Sequence, residues 1–272
     1  MLGAMAYTFA IMGGIAGHIF TGLRNIVAGV GELLLPACCA ACNSPDVSAE
    51  NLCEACNRGL LTLTAMPYCP RCGSTIGQNV RGSDGGCPGC PQPLPRFDRV
   101  VRLGPYKEPL RGIVRQLKYR RRETILTHLA KLLHPAVAAQ TQDAEFDLIL
   151  PVPMFYLRRM LRGFDHARRL AEALGGEMGV DIGDELRRVR DTPTQVGLPK
   201  TRRAQNVRGA FAVRPRSRLD GARILLVDDV TTTGATANEA ARTLLAAGAS
   251  RVTLVVVAKA DPPAPYSEKR DA

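Results

Sequence analysis

Hydrophobic residues along this chain fall into two kinds of run. Mostly aliphatic stretches occur at Val100-Val101-Arg102-Leu103, Leu148-Ile149-Leu150, Ile224-Leu225-Leu226-Val227 and Val252 to Val257, the first interrupted by Arg102 and the last by Thr253. They lack the in/out alternation of a half-buried strand, so they predict strands covered on both faces, as in a parallel sheet. Between them apolar positions recur at helical spacing. Leu110, Ile113, Val114 and Leu117 share one face of a helix predicted over 108–119, and a second helix is predicted over 124–139 with Thr124 near its cap. A third runs through Leu174, and a fourth spans Ala235 to Ala247, ended by Gly248. Leu186 to Arg190 reads as a small strand. Strands alternating with helices predict an α/β domain built on a parallel sheet flanked by helices.

The stretch with most chemistry is Ile224 to Thr236, where the aliphatic strand is expected to stop at Asp228-Asp229 and pass through Val230-Thr231-Thr232-Thr233-Gly234 into the helix at Ala235 and Thr236. Unpaired amides around Gly234 and the hydroxyls of Thr232, Thr233 and Thr236 would meet the positive end of a helix dipole, which suits a phosphate. The acid pair beside them suits two sugar hydroxyls or a metal ion. Phosphate and ribose sites side by side describe a 5-phosphoribosyl group. The competing reading is a helix capped by Asp and Thr with no ligand. Neither the Walker spacing nor the dinucleotide Gly-x-Gly-x-x-Gly is present. Pro151-Val152-Pro153 ends another buried strand, and its loop is expected to lie beside the Asp228 loop. Arg158, Arg159 and Arg162 follow it.

The first third of the chain reads differently. Cys39/Cys42, Cys53/Cys56, Cys69/Cys72 and Cys87/Cys90 are four Cys-x-x-Cys pairs, enough thiolates for two structural Zn2+ ions, each at about 2.3 Å from sulfur. A disulfide framework is the alternative, and it needs an oxidising compartment. Spacing leaves open whether the pairs combine in sequence or cross-brace, and whether Cys38 substitutes for Cys39. Residues 24–36 read as a short amphipathic helix, Pro91 to Asp98 as a stiff connector with a boundary near 95, and 261–272 as a tail. Residues 2–23 carry no Asp, Glu, Lys or Arg. Five glycines dilute that stretch and no basic leader precedes it, so a membrane span ranks below an apolar extension, or a start at Met5 or Met12. The expected compartment is the cytoplasm.

The net charge is +11 and unevenly spread: between Arg99 and Arg122 nine basic residues face one acid, Glu108, a local +8. Arg111, Arg115, Lys118 and Arg122 line one side of the first helix, a candidate for phosphate contacts at the active cleft or a track for nucleic acid, against the default of a solvated charged face. Only Tyr106 and Tyr119 accompany them, which limits base stacking. Residues 191–209 are polar, broken by prolines and glycine, and carry Lys200, Arg202, Arg203 and Arg208, as a lid over a polyphosphate would.

As an ordered set, several of these pieces resemble the ComF family. They are Tyr106 with Leu110, Lys118-Tyr119, Pro151-Val152-Pro153, Arg162-Gly163-Phe164, Gln195 with Leu198, Arg203 with Asn206, Gly209-Ala210-Phe211 and the Asp228-Asp229 motif. The last is similar at every position to the phosphoribosyl pyrophosphate (PRPP) motif of type I phosphoribosyltransferases. The resemblance implies a double zinc ribbon over 24–95, after an N-terminal extension (1–23), joined to a type I phosphoribosyltransferase fold over 96–260, a Rossmann-like parallel sheet. It further implies that Asp228 and Asp229 hold ribose hydroxyls and that Thr231, Thr232, Thr233, Gly234, Ala235 and Thr236 surround the 5-phosphate. Pro151, Val152, Pro153, Arg162 and Arg203 would border pyrophosphate, with Mg2+ bridging PRPP oxygens.

Family members are associated with internalising single-stranded DNA in natural transformation alongside a helicase partner, so a non-catalytic DNA-binding accessory is the second reading. A PRPP-sensing regulator ranks last, for want of a helix-turn-helix. Two departures stand out. Asp165-His166 replaces the usual Asn-Gln, and Thr232 occupies the place where purine salvage enzymes carry an acid, which disfavours a 6-oxopurine acceptor.

Overall fold

The computed structural model describes residues 38–48, 50–77, 85–120, 123–141, 145–155, 164–192 and 205–261. The readings of the 1–23 extension, the 24–36 helix, most of the 191–209 lid, the tail beyond Asp261, and Arg122, Arg158, Arg159, Arg162 and Arg203 lie outside these residues. In chain order the elements are α1 (Glu54–Thr64), β1 (Arg99–Pro105), α2 (Leu110–Arg120), α3 (Glu123–Thr141), β2 (Leu148–Pro151), α4 (His166–Met178), β3 (Leu186–Arg188), β4 (Phe211–Val213), β5 (Arg223–Thr231), α5 (Ala235–Ala246) and β6 (Arg251–Lys259). Among the described residues the main sheet is parallel, ordered β1-β6-β5-β2, and β3 and β4 form a separate antiparallel pair.

The continuous aliphatic runs split by alternation between two apolar clusters, one on each face. Leu225, Val227, Val255, Val257 and Ile149 join the cluster that holds the buried residues of α2, α3 and α4, with Leu110, Ile113, Val114 and Leu117 all buried in it. Ile224, Leu226, Leu254, Val256 and Leu150 join the other, covered by α5 and the β3–β4 pair. This is why the strands show no alternating polar face, Arg102 and Thr253 being themselves buried.

The sequence expectation needs correcting at β5. The strand does not stop at the acids but continues through Asp228 and Asp229 to Thr231. Its partner β6 is long enough to keep pairing, with Asp228 opposite Val256 and Thr231 opposite Lys259. The strand at 186 is also shorter than expected. Asp261, expected in the tail, is tied down: its carboxylate accepts from the Thr75 N–H at 3.0 Å and from Thr75 Oγ1 at 2.6 Å.

The cysteine-rich segment packs into the same core. Cys39, Ala40, Leu52, Leu60 and Leu63 belong to the cluster containing α2 and α3. Contact is closest at Gly112, where an added Cβ would lie 2.2 Å from the Ala41 carbonyl oxygen. We therefore expect Gly112→Ala to cost about 1–3 kcal/mol through overpacking at this seam. Urea unfolding of wild type and variant measures it, and equal midpoints would show that the seam yields freely.

Candidate functional site

β2 and β5 pair up to Pro151 opposite Val227. A last bond runs from the Val152 N–H to the Val227 carbonyl at 2.8 Å. Pro151 and Pro153 lack an N–H on the other side of β2, where the Ile149 N–H donates to the Asp181 carbonyl at 2.9 Å. β5 continues alone past this point, paired only with β6, and a crevice opens at the carboxyl end of the sheet, the usual ligand position in such folds. Asp228 and Asp229 sit in that one-sided stretch and are half-buried. Each carboxylate leans one residue forward: Asp228 Oδ1 accepts from the Asp229 N–H at 2.8 Å, and Asp229 Oδ1 from the Val230 N–H at 2.7 Å.

The loop then turns into α5 through Gly234, which is the N-cap with φ 78° and provides no side-chain cap. That left-handed angle suits glycine. The first turn of α5 holds no acid, and the Ala235 N–H reaches Thr233 Oγ1 only at 3.4 Å. Neither the cap residue nor the first turn therefore supplies a carboxylate to the dipole end. Thr231 is buried, whereas Thr232, Thr233, Ala235 and Thr236 are half-buried. Proline loop, acids and threonine turn thus come together as the sequence implies.

Sequence reasoning missed the supports of this loop. Phe97, 1% exposed, lies 3.5 Å from where a Cβ on Gly234 would be. Buried Lys259 donates to the Thr232 carbonyl and, at 3.0 Å, to that of Ala260. Glu239 on α5 accepts from the Gly209 N–H at 2.6 Å, anchoring the chain where it returns from the 191–209 segment. No local motif marks these residues, because each acts through a partner distant in sequence.

Asp165 resolves one departure. Its carboxylate caps α4 by accepting from the Arg168 N–H at 3.1 Å, a task at which Asp and Asn are equivalent. His166 is buried against Phe164, ring centroids 4.9 Å apart. Arg111 and Arg115 are exposed on α2. Lys118 lies in the same helix, and its side chain is not among those described. Arg115 borders a groove of about 730 Å³ between α2 and the first cysteine pairs, also lined by Asn43, Gly59, Glu108 and Gln116.

The eight cysteines gather in sequence order, Cys39/Cys42/Cys53/Cys56 and Cys69/Cys72/Cys87/Cys90, with the sulfurs of each set within 4.8 Å of one another. A ZnS4 tetrahedron with 2.3 Å bonds has edges of about 3.8 Å. The separations Cys42–Cys53 3.7 Å, Cys69–Cys90 3.6 Å and Cys72–Cys87 3.8 Å match it. A disulfide needs about 2.05 Å, and these thiols are free. The tetrads fit structural Zn2+, and Cys38 stands outside both, with its Sγ 3.9 Å from Asn43 Oδ1. His128 and His134 belong to no such group among the described residues.

Comparison with known proteins finds a family match in each part of the chain. Residues 30–91 match the double zinc ribbon domain and residues 160–272 the phosphoribosyl transferase domain. Competence protein F of Haemophilus influenzae is 31% identical over 219 residues, covering 79% of this chain and 93% of that protein. The chain belongs to the competence protein F family. DNA utilization protein YhgH of Escherichia coli (strain K12) is a further relative, 33% identical over 81% of this chain and 96% of its own. Among solved structures, a glutamine PRPP amidotransferase from B. subtilis matches 48% of this chain and 25% of its own at 23% identity, with a TM-score of 0.32. In this competence protein F relative, a type I phosphoribosyltransferase domain carries an N-terminal double zinc ribbon. No helix among the described residues is long and apolar enough to cross a membrane.

Two outcomes follow from this geometry. Because the tetrads close in sequence order, Cys39→Ser with Cys53→Ser should remove one zinc per chain. Cys39→Ser with Cys69→Ser should disturb both sites, and Cys38→Ser neither. Elemental analysis distinguishes these from cross-bracing. The second concerns Glu239, whose carboxyl is held below its ordinary value by the Arg242 guanidinium, against the opposing effect of burial and with help from the Gly209 N–H. A depressed carboxyl stabilises above its unfolded value of about 4.3, and that contribution is lost as pH falls through the folded value. Exchange protection of the Gly209 amide should therefore drop in acid, and Glu239→Gln should flatten that dependence.

Proposed function

We propose that this protein binds PRPP, or another 5-phosphoribosyl group, with Mg2+ in the crevice between Pro151–Pro153 and Asp228–Thr236, in the service of DNA uptake or utilisation. The observation that carries the reading is the uncapped α5 N-terminus placed directly after two half-buried acids, on a strand whose neighbour has just turned away. Amides at Gly234 and the threonine hydroxyls receive the 5-phosphate. Asp228 and Asp229 accept from the ribose hydroxyls. Pro151 to Pro153 border the pyrophosphate, and the family resemblance adds Arg162 and Arg203, outside the described residues, as guanidinium forks suited to its oxygens. The relatives' names, competence protein F and DNA utilization protein, supply the cellular setting.

Groups of three or more metal-ligating side chains occur, among the described residues, only as the cysteine tetrads. Asp228 and Asp229 therefore fit a Mg2+ that keeps waters and ligand oxygens in its shell, rather than a protein cage. When bound, that ion would neutralise pyrophosphate charge. Transfer would break the C1–oxygen bond of ribose, pyrophosphate leaving with the electron pair as an acceptor lone pair bonds to C1. The chain's part is positioning and charge stabilisation. Position 232 offers no carboxylate to draw a proton from the acceptor, so an acceptor that is already nucleophilic or anionic is favoured. The zinc tetrads are closed and serve folding. The protein's place of action is the cytoplasm, where cysteines stay reduced and available to zinc.

A second reading, a non-catalytic binder of single-stranded DNA, draws on exposed Arg111 and Arg115 beside the α2 groove. Calorimetric titration of the zinc-loaded chain with PRPP and Mg2+ tests the first reading: saturable heat is expected, with affinity lowered at least about tenfold, 1.4 kcal/mol, in Asp228→Ala and Asp229→Ala. Absence of heat would remove it. Steeply salt-dependent DNA binding, lost in Arg111→Ala/Arg115→Ala and unaffected by PRPP, would favour the second.

A further inference from the structure

Lys259 is the last residue of β6, where a lysine would ordinarily reach into water, yet it is only 6% exposed. Burying an ammonium is costly unless hydrogen bonds compensate. Two of its bonds go to main-chain oxygens, those of Thr232 and Ala260. The nearest carboxylate in sequence, Asp261, is engaged by Thr75, whose Oγ1 also accepts from fully buried Arg102 at 2.8 Å. The Lys259 stem runs beneath the second cysteine knuckle. A Cβ on Gly73 would lie 3.6 Å from Lys259 Cδ and 2.9 Å from Val100 Cγ1, and Gly73 has φ +74°. Glycine there lets the knuckle backbone close over the stem and keep water from it.

The consequence concerns the Thr232–Thr233 peptide. A trans peptide is planar, so its C=O and N–H point in opposite directions. A lysine fastened to the Thr232 oxygen therefore turns the Thr233 N–H away from the protein interior beneath it. The same knuckle supports the loop from a second side. Arg71, between Cys69 and Cys72, donates to the carbonyls of Phe97 at 2.7 Å and Pro95 at 2.9 Å, and to that of Asp98. Phe97 is the ring packed against Gly234. The first tetrad instead meets α2, through Ala41 against Gly112 and Gln116 Nε2 on the Cys39 carbonyl at 3.4 Å.

We infer that Lys259 is a positioning residue, held under the second zinc knuckle, that fastens the Thr232 carbonyl and so presents the Thr233 amide to the bound phosphate. This rests on the phosphoribosyl reading above. The full zinc-loaded chain tests it through two readouts: calorimetric affinity for PRPP with Mg2+, and hydrogen exchange of amides 231–238 in ligand-free protein. Lys259→Met should weaken binding at least tenfold and speed exchange at Thr233, with two zinc ions and an unaltered unfolding transition. Lys259→Gln, which keeps an N–H donor, should recover part of both. Unchanged affinity and exchange in Lys259→Met would overturn the inference and leave the phosphoribosyl reading standing. Should wild type bind no PRPP, that reading falls, and exchange alone decides the role of Lys259: faster at Thr233 supports it, unchanged overturns it. If Lys259→Met does not fold, Lys259→Gln and Arg71→Ala serve through the same exchange readout, where wild-type protection in both would overturn the proposal.

Discussion

Everything at the candidate site depends on unequal strand lengths in the sheet. β5 and β6 pair through Thr231 and Lys259, whereas β2 releases β5 after Val227. A central strand with neighbours on both sides has no room for a ligand at its edge. Here the ladder loses one side at the first acid, because β2 ends at Pro151 and its last bond to β5 comes from the Val152 N–H. The acids are consequently held in rigid extended backbone, not in a loop, and the threonine turn begins only after a fixed strand end. Precise placement of ligand groups is better served by such an element than by mobile chain.

The cysteine-rich region is joined to this core in two distinct ways. Its first tetrad and α1 contribute apolar residues to the α2–α3 side. Its second tetrad forms a small cluster of its own, Cys69, Cys72 and Cys90 with Leu94 and Ile76 against it, and reaches the sheet through hydrogen bonds. Val100 donates to the Pro70 carbonyl at 2.7 Å, extending the outer edge of β1 with knuckle backbone. That edge would otherwise be bare.

The aliphatic runs showed the parallel sheet in the sequence because burial on both faces removes the polar alternation that would have hidden them. The α2 face was equally plain, with all four apolar positions buried. Cysteine spacing gave the ligands but not their partners, since two residues between thiols fit either pairing, and only folded geometry separates them. The strand end was misplaced because Asp is a poor strand former; the register with β6 overrides that local preference. α1 was not anticipated, its Leu60 and Leu63 lying within a segment read as zinc knuckles. Lys259, Arg71 and Glu239 were illegible for a different reason: a charged side chain on a main-chain oxygen or amide leaves no periodicity and no motif.

The strand order β1-β6-β5-β2 also sets when the molecule can acquire its shape. β1 and β2 are made first but never touch each other through backbone bonds; each waits for a partner from the last fifty residues. Both tetrads, by contrast, close within contiguous stretches. During synthesis the metal knuckles can therefore close early, β2 can pair once β5 is made, and β1 joins only when β6 bridges it to β5.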